Sequence, residues 1–164
     1  MERRHFLALA AASALISPVR TAAAEMDEVI LDVTGQLDPA HGPSLSLDRG
    51  AIEALGLDVV TTHTPWNEGR TRFEGVRLSR LLDHVGATGS TLRLTALNDY
   101  TVEMGIGIVR EFEPLLAIKA DGAYLTARTN GPVFVLFDFD GNPATDTPKH
   151  HALSVWQLRT IAVS

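Results

Sequence analysis

An α+β domain rich in strands, with two short helices, is the fold class this sequence predicts. Three observations carry it. Most of the chain beyond residue 28 alternates apolar and polar residues or runs apolar for strand length. Only two segments repeat apolar residues at helical spacing, and Gly, Pro, Asn and Asp punctuate the joins.

The elements follow in chain order. Val29 to Val33 reads as a first strand, and the Pro/Gly/Ser connection "LDPAHGPSLS" follows it. Ser46 stands where an N-cap belongs, ahead of a short helix running to about Leu55 and stopped by Gly56. Leu57 to Thr62 is the next strand, and "HTPWNEGRTRF" is an aromatic loop. The second helix spans Gly75 to Gly86, with Leu78, Leu81, Leu82 and Val85 on one face. From Thr91 onward the pattern is mostly β. Leu92, Leu94 and Ala96 oppose Tyr100, Val102 and Met104 across Asn98-Asp99, which is either a plain turn or the floor of a site. "LLAIKADGAYLTAR" is a hairpin turning at Asp121-Gly122, and "GPVFVLFDF" is a strand covered on both faces. Val155 to Val163 closes the chain as a strand that points Trp156 into the core.

The N-terminus carries a basic start with Arg3-Arg4, a short apolar run and Ala22-Ala23-Ala24, the three parts of an export signal. Arg3-Arg4-x-Phe6-Leu7 matches the twin-arginine form. Residues 1–24 are therefore expected to be removed, leaving residues 25–164 as one domain in the periplasm or outside the cell. The apolar run is too short for a permanent membrane anchor. The formal charge of the chain is −6; removing Glu2, Arg3, Arg4 and Arg20 takes away a net +2 and leaves −8. Such a chain repels phosphate backbones, which argues against nucleic acid as a partner. There is no cysteine, hence no disulfide, thiolate ligand or thiol nucleophile.

Several motifs fail on their spacing. Gly105-Ile-Gly107-Ile-Val-Arg110 lacks the third Gly of a dinucleotide loop. Asp138-Phe-Asp140-Gly-Asn142 has its Gly too early for a calcium loop and reads as a solvated turn. His150 and His151, if extended, point to opposite sides and chelate poorly, so no metal ligand is assigned. The polar and aromatic residues that remain sit in loops: His63, Trp66, Asn67 and Arg70; Asn98, Asp99 and Tyr100; Arg128 and Asn130. Trp66 is either a stacking surface or an aromatic plug over the core.

The ordered set "TPWNEGRTRFEGVRLSRLLDHVGA", "LTALNDYTVEM", "LLAIKADGAYL", "NGPVFVLFDF" and "SVWQLRTIAV" resembles the small exported proteins of the oxidoreductase molybdopterin-binding family. The resemblance covers residues 29 to 163 and implies the fold of the sulfite oxidase catalytic domain. It also implies molybdopterin as a cofactor, which the residues themselves do not establish. Thr95-Ala96-Leu97-Asn98 stands where sulfite oxidases have Cys-Ala-Gly-Asn, so Thr95 occupies the place of the molybdenum-binding thiolate. A hydroxyl is a poor substitute for a soft anionic ligand. Asp99-Tyr100 also stands where that family has arginines. The expectation is a module that binds a small ligand or a periplasmic protein partner, with His63, Trp66, Arg70, Thr95, Asn98, Asp99, Tyr100 and Arg128 as pocket candidates. The alternatives are an active molybdenum-cofactor oxidoreductase and a structural or interaction domain.

Overall fold

Alternation along the strands decides which face each residue takes, and two five-stranded sheets result. The structure, a computed structural model, describes residues 28–164; the expected export signal over residues 1–24 lies outside them. The first sheet runs β2-β1-β10-β5-β6. Its strands are β1 (Leu31–Gly35), β2 (Ser44–Leu47), β5 (Thr91–Ala96), β6 (Thr101–Gly105) and β10 (Leu158–Val163). The second runs β3-β4-β7-β8, with β9 also on β7. Its strands are β3 (Asp58–Thr64), β4 (Asn67–Arg77), β7 (Leu115–Ala120), β8 (Ala123–Tyr124) and β9 (Phe134–Leu136). One apolar cluster draws on both sheets, with Phe73, Phe134, Phe137 and Phe139 among its largest members.

The α+β, strand-rich class is as expected, but the described residues hold four α-helices and not two. They are α1 (Arg49–Ala54), α2 (Leu78–His84), α3 (Ile106–Phe112) and α4 (Pro148–Leu153). The helix cap at α1 is Asp48, whose carboxylate accepts from the Ala51 N–H at 2.7 Å; Ser46 lies in β2 and donates to Asp32 at 2.6 Å. The expected helix over Gly75–Gly86 begins only at Leu78, because Gly75 to Arg77 still pair with β7. Gly75 permits that pairing: a Cβ at this position would collide with the Leu116 carbonyl. The expected loop over residues 63–73 is instead the β3–β4 hairpin.

The Asp121-Gly122 turn behaves as read, with φ of 48° and 83°. Behind it, Lys119 Nζ sits 2.7 Å from Glu53 and 4.6 Å from the Tyr124 ring centroid, tying α1 to β7 and β8. β9 is only three residues long, fully buried, and flanked on its free side by the chain entering β10, through Val135 N–H to Val155 and Leu158 N–H to the Val133 carbonyl. The last strand starts at Leu158, so Trp156 precedes it and is 38% exposed: the expected core tryptophan is at the surface. Among the described residues no helix is long and apolar enough to cross a membrane.

Candidate ligand pocket

Three chain reversals build the site. At the β3–β4 turn, the buried Thr64 hydroxyl accepts from the N–H groups of Trp66 at 3.4 Å and Asn67 at 3.1 Å, which fixes the Trp66 backbone. At the β5–β6 turn, Asp99 is left-handed (φ 65°) and donates to the Ala96 carbonyl at 3.1 Å, while Asn98 accepts from the Tyr100 N–H at 3.1 Å. Asp and Asn tolerate this backbone because their short side chains bond locally. Ahead of β10, Gln157 is also left-handed (φ 52°); its carbonyl accepts from Leu97 at 2.9 Å and its N–H donates to Asn130 at 2.9 Å. That bend carries Trp156 out of the sheet and onto Trp66.

The two indoles lie 5.1 Å apart between centroids with planes at 83°. On one side of them is a cavity of about 460 Å³ whose wall includes Asn98, Tyr100, His151, Ala96 and Gln157. On the other is a groove of about 590 Å³ that includes Asn67, Arg128 and Asn130. Trp66 is half-buried against Phe134 and Phe139, so it is both a plug over the core and a pocket wall.

His63 and Arg70 belong to a neighbouring polar cluster. Asp140 is its hub: one carboxylate oxygen lies 2.8 Å from His63 Nδ1, and the other accepts from the His63 N–H at 2.9 Å and pairs with Arg70 Nε at 2.9 Å. Asp146 lies 3.5 Å from His63 Nε2 and 2.8 Å from His151 Nε2, so the cluster reaches the cavity through His151. The hydrogen bond to Asp140 raises the His63 pKa above its usual range, and the same bond holds the Asp140 carboxyl below its own. The stretch around Asp140 is therefore more than the solvated turn its composition indicates.

Thr95 is set apart from the other candidates. Leu92, Leu94 and Ala96 take the buried face of β5, leaving Arg93 and Thr95 on the outer one. There the Thr95 hydroxyl lies 3.3 Å from that of Thr101, and Ala96 forms the cavity wall in its place. Asp99 shapes the turn without lining the cavity.

The sequence reading missed His151, Trp156, Gln157, Asp140 and Asp146. A signal existed for His151. Thr147-Pro148 is an N-cap followed by Pro at the first helical position, and the Thr147 hydroxyl accepts from the His150 N–H. On that helix the two histidines are about 100° apart. His150 is buried between Phe112 and Phe137, where burial pushes its pKa down, while His151 faces the cavity. Among the described residues no group of three or more His, Asp or Glu is disposed to hold a metal ion. No protein-family model matches the chain, and no curated protein matches it.

Proposed function

We propose that this chain is an exported ligand-binding module with a sulfite-oxidase-like fold, and that it binds a small molecule in the cavity beside Trp66 and Trp156. The observation that carries the reading is the convergence of three separate reversals on one cavity of about 460 Å³, walled by two indoles, a phenol, two amides and an imidazole. A volume of this size with aromatic walls and a few polar groups is the ordinary form of a small-molecule site.

The donor set does not fit a molybdenum cofactor held through the protein. The chain has no thiol, and Thr95, which takes the thiolate's place in the resemblance, lies on the outer face of β5 while Ala96 faces the cavity. Neither Lys nor Arg is among the described residues that line the cavity, so no guanidinium or ammonium there meets an anionic phosphate group. What the chain's residues do supply is apolar area and stacking surface.

The test is native mass spectrometry and molybdenum analysis of protein purified from the periplasm of a cofactor-producing bacterium. The expected result is a retained small molecule, released on denaturation and absent from Trp156→Leu, with no stoichiometric molybdenum. One molybdenum per chain would overturn the reading in favour of a redox enzyme.

A further inference from the structure

We infer that the cavity beside Trp66 and Trp156 selects a small quaternary ammonium group; this rests on the ligand-binding reading and names its ligand class. Three features of the site converge on that chemistry.

The first is shape. The indole planes of Trp66 and Trp156 meet at 83° with centroids 5.1 Å apart, and Tyr100 adds a third aromatic wall. A flat heterocycle stacks on one face only. Walls at right angles fit a compact, nearly spherical group that touches several of them, and a cation there gains from each ring quadrupole.

The second is charge. No Lys, Arg, Asp or Glu is among the described residues lining the cavity, so the bias comes from beyond it: Asp146 is bonded to His151, and the chain carries a net −6. A field of that sign gathers cations and rejects anions.

The third is hydrogen bonding. Four polar atoms around the cavity, one each from Tyr100, Asn98, Gln157 and His151, are engaged within the protein. The Tyr100 hydroxyl donates to the Ala152 carbonyl at 3.2 Å, and Asn98 Oδ1 accepts from the Tyr100 N–H at 3.1 Å. Gln157 Nε2 donates to the Ala127 carbonyl at 2.7 Å, and His151 Nε2 lies 2.8 Å from Asp146. A ligand that hydrogen-bonds to these four atoms would compete with those contacts. A tetraalkylammonium has no N–H and asks for none.

Intrinsic fluorescence reports on binding at the two indoles, because the chain's two tryptophans both line this cavity. Tyr100→Leu alters the cavity and not the groove beside it, and should weaken the cation response if the cavity is the site. The probes are tetramethylammonium, choline and 3,3-dimethylbutan-1-ol, the neutral isostere of choline. Both cations are expected to change the emission saturably, with choline binding about tenfold tighter than its isostere. Trp156→Leu should lose that preference and Trp156→Phe should keep most of it, with circular dichroism confirming that both are folded. Equal binding of choline and the isostere overturns the inference, as does the absence of any saturable change with the cations in fluorescence and calorimetry. A different molecule retained in native mass spectra and lost in Trp156→Leu would, alongside either result, leave the module reading standing and this one refuted.

Discussion

His63 grips Asp140 twice across 77 residues of sequence, its backbone N–H donating to one carboxylate oxygen at 2.9 Å and its Nδ1 lying 2.8 Å from the other. The pair joins the β3–β4 hairpin to the segment that leads into α4, and so sets where Trp66 and His151 meet.

This pair is expected to leave a signature in the pH dependence of stability. The His63 pKa is raised from 6.5 by its bond to Asp140, so its contribution is fully present below pH 6.5 and is lost as pH rises through the raised value. Asp140 is held below 3.8, so the pair survives acid until pH falls through that lowered value. Thermal melts of wild type and His63→Gln should therefore differ most between these limits and converge in alkali. Both side chains are partly exposed, so added salt should shrink the gap. A gap that widened with rising pH would contradict the assignment.

The cap of α1 distinguishes two nearby residues. Asp48→Ala removes the acceptor of the Ala51 N–H and should cost about 1 kcal/mol in denaturant unfolding. Ser46→Ala removes only a strand hydroxyl bonded to Asp32 and should stay within about 0.5 kcal/mol. The opposite order would restore the cap to Ser46.

What was legible in the sequence was what local chemistry decides. Asp121-Gly122, the apolar alternation of β5, and the Leu78–Leu82 face of α2 all follow from turn preference or period. Helix α3 was hidden because its seven residues include Gly107 and the β-branched Ile106, Ile108 and Val109, which carry little helix propensity; tertiary burial of Val109 and a left-handed Glu113 at its end define it instead. The joining of His63, Asp140 and Arg70 had no local signal, because partners 77 residues apart meet only when the strands do. Trp156 was misplaced by extending β10 three residues too early; the left-handed Gln157 that breaks the alternation has no glycine to announce it.

Trp156 and Phe134 should differ accordingly. Phe134 is fully buried, and Phe134→Ala is expected to cost about 3 to 5 kcal/mol. Trp156 is 38% exposed, so Trp156→Ala leaves an open surface notch and no sealed cavity, with an expected cost under about 2 kcal/mol. Urea titrations of the two variants check this. Equal costs would mean that Trp156 is part of the core after all.

The face taken by Thr95 has a direct chemical test, because the chain has no cysteine and any introduced thiol is the only one. Ala96 is 4% exposed and forms the cavity wall, whereas Thr95 lies on the outer face of β5 beside Thr101. A thiol at Thr95→Cys should react readily with a small alkylating reagent and leave the emission of Trp66 and Trp156 unchanged. At Ala96→Cys the reaction should be slower, and each label should perturb that emission, because both indoles share the cavity with residue 96. The rate difference reports access and the fluorescence reports direction. The reverse pattern would place Thr95 on the cavity side, where a thiolate could serve as a soft metal ligand, and would remove the geometric argument against a protein-held molybdenum.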